Sequence, residues 1–300
     1  MKKSILIGPS SFGKIDPGLY QTIENAGYNV IKNPFDRKIK KNELIDLLTD
    51  NVIGLIAGLE TLDAEVLEKS KLKIISRVGS GVTNIDKEFA KNNNIKIFSV
   101  SEGPTNSVAE ITIANILNLL KNIFEMNLEM KKANWHRIYG NELKNKKVLI
   151  IGYGNIGKRV SEILNVFKAD VYFVDPSVND QNAIATKKSL SEGLQLADII
   201  VLHASTQKCI ITSTEFEKMK DGVLLCNPAR GELINEADLI KYIENKKVAG
   251  AWIDTYIDEP YSGKLNTMKE VILTPHISSL TYECRGMMDK VAVNNLLENL

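Results

Sequence analysis

Over the first hundred residues, short apolar runs alternate with longer stretches in which apolar positions recur every three or four residues. Residues 4–7, 29–31, 54–57, 73–76 and 96–99 read as strands, and 17–26, 41–49, 64–70 and 87–92 as helices between them. This alternation predicts a parallel sheet with helices on its faces. From residue 107 to 130, Val108, Ile111, Ile116, Leu119, Leu120, Ile123 and Met126 keep helical spacing with no glycine or proline, which predicts one long helix. A second alternating series follows, with strands at 148–151, 171–174, 199–202, 223–226, 249–253 and 271–273. Residues 282–300 are again helical in pattern.

Six strands in the second series match a full doubly wound dinucleotide fold. The chain therefore reads as α/β with two doubly wound parallel-sheet domains, residues 1–102 with 279–300 and residues 103–278. At 300 residues, 44% hydrophobic and 25% charged, it is long enough for two cores and apolar enough to order itself. Thirty-eight Lys and Arg against 37 Asp and Glu leave a formal charge of +1, so neither nucleic acid nor an anionic membrane is an expected partner. Cys209, Cys226 and Cys284 show no paired spacing, which predicts free thiols and no metal site. The apolar run after Met1-Lys2-Lys3 is cut by Gly8-Pro9, and no stretch reaches membrane-spanning length, so a reducing cytoplasm is the expected compartment.

Candidate chemistry starts at Gly152-Tyr153-Gly154-Asn155-Ile156-Gly157, behind an apolar strand and in front of a helical run. Gly152 permits a tight turn, Gly154 lets the backbone approach a pyrophosphate, and Gly157 lets the helix pack closely on the strand. Free amides at the helix start would hold the anion. Asp175 ends the next strand, where its carboxylate can accept from adenosine ribose hydroxyls and repel a 2′-phosphate. No cation stands beside it in Pro176-Ser177-Val178, so NAD is expected rather than NADP.

Hydride transfer from a hydroxy acid also needs a cation for the carboxylate, a base for the hydroxyl proton and a group that tunes the base. Arg230, in Asn227-Pro228-Ala229-Arg230-Gly231, stands just past a strand and suits the first task through its planar fork. The base must come from His136, His203 or His276. His136 sits beside Trp135 and Arg137 at the tail of the long helix and reads as a surface residue, whereas His203 and His276 both follow strands. Spacing alone does not separate those two. Glu259, in Asp258-Glu259-Pro260, could orient an imidazole and favour its charged form.

Taken together, these segments resemble the D-isomer-specific 2-hydroxyacid dehydrogenases, which include the phosphoglycerate dehydrogenases. The likeness rests on Arg77-Val78-Gly79-Ser80-Gly81-Val82-Thr83-Asn84-Ile85-Asp86, on Val108-Ala109-Glu110, and on the glycine loop with Asp175. It continues through residues 227–231, Ile253-Asp254 with Asp258-Glu259-Pro260, and Leu273-Thr274-Pro275-His276. The resemblance implies a Rossmann NAD-binding domain and a flavodoxin-like substrate domain hinged near residues 101–103 and 278–281. It implies catalysis by Arg230, Glu259 and His276, which selects His276 over His203 as the base. It places His203, Ala229 and Asp254 with the glycine loop as cofactor contacts, and Val78, Gly79, Ser80 and Gly81 with Arg230 as substrate contacts. A small 2-hydroxy or 2-keto acid and a homodimer built around the long helix and Trp135 are its implied partners.

Some features depart from the family pattern. The loop at residues 204–209 is short and proline-free, and Glu60 stands where phosphoglycerate enzymes often carry basic residues. No regulatory domain is expected beyond Leu300. A non-catalytic NAD-sensing protein of the same fold, or a dehydrogenase for another small anion, is the alternative reading.

Overall fold

The computed structural model describes residues 2–79, 81–100, 103–179 and 184–300. Ser80 of the expected substrate loop, and Ser101 and Glu102 of the expected hinge, lie outside the described residues. The chain divides into two compact units, Met1–Pro104 with Ser279–Leu300, and Thr105–Ser278.

In the first unit β1 (Ser4–Ile7), α1 (Gly18–Asn25), β2 (Asn29–Lys32), α2 (Lys41–Leu47) and β3 (Val52–Ala57) alternate. They are followed by α3 (Ala64–Glu68), β4 (Ile74–Arg77), α4 (Lys87–Asn92) and β5 (Lys96–Ser99). The strands pair in parallel in the order β2-β1-β3-β4-β5, the flavodoxin-like arrangement. The central strand β3 is buried along its whole length, as a strand covered on both faces must be. Helices α3 and α4 start where they do because Asp63 and Asp86 accept the backbone amides of Val66 and Phe89.

The second unit holds α5 (Thr105–Lys121), α6 (Ile123–Lys131), β6 (Lys147–Ile151), α7 (Asn155–Val166), β7 (Asp170–Val174) and β8 (Thr186–Lys187). It continues with α8 (Leu190–Leu196), β9 (Ile199–Leu202), α9 (Ser213–Lys218), β10 (Val223–Asn227), α10 (Glu236–Glu244), β11 (Val248–Ile253) and β12 (Val271–Leu273). Its parallel sheet runs β12-β11-β10-β9-β6-β7-β8, the Rossmann order extended by β12. The last helix, α11 (Tyr282–Asn299), belongs to the first unit, where Cys284, Met288, Ala292, Val293 and Leu296 join the core formed with Leu19 and Ile23 of α1.

Two features differ from the expectation. The sheet of the second unit has seven strands among the described residues, the extra one being the two-residue edge strand β8, paired to Tyr172 and Phe173. Two polar residues carry no period for a pattern to reveal. The single long helix is instead two, because Asn122 adopts the left-handed conformation at φ 53°. Asparagine tolerates that region better than most residues. The break is held by Asn118, whose side-chain oxygen accepts the Phe124 amide at 2.9 Å.

Candidate active site

The turn between β6 and α7 is shaped by backbone crowding. Gly152 has φ +99°, and a Cβ there would lie 2.5 Å from the backbone of His203 and Ala204 at the end of β9. A Cβ on Gly157 would stand 2.2 Å from the Gly152 carbonyl, so α7 packs directly on the turn. Gly154 is different, since no atom of the described residues lies within 4 Å of its Cβ position. The turn is anchored by Asp175, which accepts the amides of Tyr153 and Ser177, each at 2.8 Å. Beneath it the buried Tyr153 ring stacks on Phe173 at 4.0 Å. Asn155 and Ile156 open α7, whose first amides have no intrahelical partner. Open space above Gly154, helix-start amides without intrahelical partners and a fixed carboxylate together fit a dinucleotide. His203 follows β9 with its Nε2 buried and without a hydrogen-bond partner among the described residues, and burial pulls its pKa down to about 3. Its ring is therefore neutral.

Three further loops of the same unit converge at the carboxyl ends of β10, β11 and β12. Asn227 closes β10, accepting the Ala229 amide at 3.1 Å and donating to the Arg230 carbonyl at 2.7 Å, which pins the loop that carries Arg230. The half-buried Arg230 side chain donates to the Ala229 carbonyl. At Gly231 a Cβ would lie 2.3 Å from the Tyr256 backbone, so only glycine lets this loop press against the one after β11. That second loop bears Glu259, whose Oε1 accepts the Tyr256 amide at 3.2 Å. His276 stands in the third loop at φ +54°, a conformation that costs a non-glycine residue energy. Its Nδ1 lies 3.0 Å from both carboxylate oxygens of Glu259.

The His276 loop is braced from below by Asp254. Fully buried at the end of β11, that carboxylate accepts from the Thr274 hydroxyl, the Ile277 amide, and both the amide and the hydroxyl of Ser278. It thus grips the chain on both sides of His276. Trp252 donates to the Thr274 hydroxyl at 2.9 Å, completing the support. His136 lies outside this cluster, exposed on the segment after α6.

In the first unit, the loop after β4 carries the expected carboxylate donors. The Val78 amide is committed to the Ala57 carbonyl at 2.8 Å, and Val78 is buried. Gly79 has φ +131°, and the Arg77 guanidinium folds over it to donate to the Val78 carbonyl. Among the described residues, Gly79 and Gly81 are the remaining members of that set.

Residues 113–278 match the model of the D-isomer specific 2-hydroxyacid dehydrogenase, NAD binding domain. A protein of Staphylococcus epidermidis named as a 2-hydroxyacid dehydrogenase is 32% identical over 298 residues, 93% of this chain and 94% of that one. The chain belongs to the D-2-hydroxyacid dehydrogenase family. The dehydrogenase is also 32% identical to the D-3-phosphoglycerate dehydrogenase of Bacillus subtilis, across 82% of this chain but only 51% of that longer protein. Its fold matches a glyoxylate reductase from Paecilomyes thermophila with a TM-score of 0.89 at 24% identity, over 98% and 94% of the two chains. The D-lactate dehydrogenase of Aquifex aeolicus, solved with NAD and lactic acid, matches with a TM-score of 0.83 at 25% identity, over 99% and 97%. As a member of this family the dehydrogenase is an NAD-dependent oxidoreductase, and its second unit contains the family's NAD-binding domain.

Sequence reasoning quoted Asn227 and Thr274 only within motifs and Ser278 only at a hinge, passed over Tyr256, and gave none of these polar residues its supporting role. Their signal was weak, since such residues are common in loops and only the fold shows which groups they face. No described helix of the dehydrogenase is long and apolar enough to cross a membrane.

Proposed function

We propose that the dehydrogenase moves a hydride between nicotinamide and C2 of a small D-2-hydroxy acid, with His276 as base, Glu259 as its partner and Arg230 as the cation for the carboxylate. The contact of His276 Nδ1 with both Glu259 oxygens at 3.0 Å is the observation that carries this reading. A carboxylate at Nδ1 keeps a proton on that nitrogen and leaves Nε2 to take the hydroxyl proton. The same charge stabilises the imidazolium that results. Bound NAD supplies the acceptor for the hydride. The chain's part is to hold it through the amides of Asn155, Ile156 and Gly157 and the Asp175 carboxylate, with His203 and Ala229 as further contacts. The expected contact from Asp254 is replaced by a bracing role, since its carboxylate is fully buried and takes four internal donors. Arg230 offers a two-pronged site for the substrate carboxylate. In the first unit, the Gly79 and Gly81 amides are candidate carboxylate donors of that unit's own loop.

The test is NADH consumption with glyoxylate, pyruvate, hydroxypyruvate and 3-phosphohydroxypyruvate, compared by kcat/KM. Turnover of at least one is the expected result. Tight NADH binding with no turnover of any 2-keto acid would instead mark a non-catalytic NAD-sensing protein. A homodimer is part of the same proposal. Its support is the exposure of Ile123, Phe124, Leu128, Met130, Trp135 and Tyr139 within one short segment, an apolar concentration that marks an interaction surface. Sedimentation of Trp135→Glu as a monomer beside a dimeric wild type is the corresponding measurement. The free thiols Cys209, Cys226 and Cys284 support a reducing cytoplasm as its compartment.

A further inference from the structure

Strands β11 and β12 run parallel and side by side, with Ile253 opposite Leu273, so the loops that follow them leave together at the same end of the sheet. One loop carries Glu259 and the other His276. A base and the carboxylate that tunes it thus sit on two separate irregular segments, where backbone is more mobile than in the sheet. The φ of +54° at His276 adds a demand, because such a conformation persists only where neighbouring groups over-determine it.

Tyr256 is bonded to both loops at once. Its amide donates to Glu259 Oε1 at 3.2 Å. Its hydroxyl lies 3.0 Å from the Ile253 carbonyl and 3.1 Å from the Thr274 carbonyl, sharing one hydrogen between the last residue of β11 and the first after β12. The Thr274 carbonyl also accepts the His276 amide at 3.0 Å, so the hydroxyl bonds the same group that holds the strained residue. The half-buried Tyr256 ring stacks on Tyr261, with centroids 4.5 Å apart and planes 21° from parallel. Tyr261 is fixed in turn, because its hydroxyl donates to Glu236 at the start of α10 at 2.7 Å and accepts the Leu265 amide at 3.2 Å. Burial pushes the Tyr256 phenol up to about 12, and the charges of Asp254, Glu259 and Tyr261 act in the same direction. The hydroxyl therefore keeps its hydrogen at neutral pH.

We infer that Tyr256 is a positioning residue for the proposed reaction, its amide setting Glu259 and its hydroxyl setting the His276 loop, so that Nδ1 and the carboxylate stay aligned during proton transfer. The inference rests on the proposed roles of His276 and Glu259 and adds the residue that couples them. Tyr256 acts through these two side chains rather than on the substrate. Loss of its hydroxyl leaves neither carbonyl bare, since Ile253 keeps the Thr274 amide at 3.1 Å and Thr274 keeps the His276 amide. Tyr256→Phe therefore removes the tie and spares the fold, with an expected fall in melting temperature of no more than about 4 °C.

In Tyr256→Phe the single-turnover rate of NADH oxidation, with a 2-keto acid that the wild type reduces, is expected to fall by about 3–10-fold, while the Kd for NADH stays unchanged. A second readout needs no turnover. The chain has three histidines, so isotopically labelled histidine gives three ring systems by NMR, and His276→Ala identifies the relevant one. Exchange of its Nδ1 proton with water, slowed in the wild type by the bond to Glu259, is expected to speed up at least about threefold in Tyr256→Phe. An unchanged turnover rate or an unchanged exchange rate overturns the inference, as does a weakening of NADH binding equal to the loss of rate. Should Tyr256→Phe fail to fold, Tyr261→Phe decides, since it frees the ring on which Tyr256 is stacked. Faster Nδ1 exchange there supports the inference, and an unchanged rate overturns it. A wild type that reduces no 2-keto acid would sink the dehydrogenase chemistry, and the exchange measurement would still decide the role of Tyr256.

Discussion

The two sheets share one construction and treat their switch points in opposite ways. After β1, Gly8 abuts a buried carboxylate, 2.4 Å from where its Cβ would be. After β6, Gly154 faces open space, with no atom of the described residues within 4 Å of its Cβ position. Each crevice arises from the same reversal of strand order. What separates them is the neighbouring loop. The turn after β3 sends Glu60 back over its own amides, whereas the backbone corner at the end of β9 tucks under Gly152 and leaves Gly154 clear. Topology makes a crevice, and a single side chain decides whether a ligand or the protein itself fills it.

That contrast can be broken most severely at the chemistry of the second unit. His276→Ala is expected to lower kcat by about 10²–10⁴-fold, the range for loss of a general base, with the Kd for NADH unchanged. A near wild-type rate would remove His276 from the role. Next comes Gly154→Val, which should weaken NADH binding by roughly a hundredfold, because the side chain fills the space the pyrophosphate needs. Its melting temperature should stay near that of the wild type, since no atom is displaced. Gly8→Ala should do the reverse, costing about 1–3 kcal/mol in urea unfolding through overpacking against Glu60, with NADH affinity intact. If Gly8→Ala were as stable as wild type, the first crevice would not be filled as described.

The smallest expected effect concerns His203. Its ring takes a proton near pH 6.5 when exposed but only near 3 in the folded chain. A depressed folded pKa means the unfolded state binds the proton first, so this contribution to stability is complete above pH 6.5 and is lost as the pH falls toward 3. His203→Gln should therefore lose less melting temperature than the wild type across that window. Equal losses would show that the ring is not held neutral.

Much of the fold was legible from the chain. Every strand of the two expected series lies within two residues of its predicted position, and for the central strands the reason is burial on both faces, which imposes continuous apolar runs. The break at Asn122 was not, since apolar spacing continues through Ile123 and Met126 and says nothing about one residue's φ. Nor was β8, whose two residues pair only because β7 is beside them. At the site, Arg230, Glu259 and His276 could be singled out from strand ends and resemblance. The brace under His276 could not, because Asp254 differs from any other acid only in the four donors that packing aims at it.

By itself the sequence determined the two-sheet architecture, the family and the cofactor, because periodicity and glycine spacing are local properties written over short windows. Only the tertiary structure decided that Glu259 meets His276 across 17 positions, that Gly231 must yield to Tyr256, and that Glu60 closes the first crevice while Gly154 leaves the second open. Those facts depend on where distant backbone segments come to rest, and a Cβ or a carboxylate acquires its meaning only from the atoms that packing brings within a few ångströms of it.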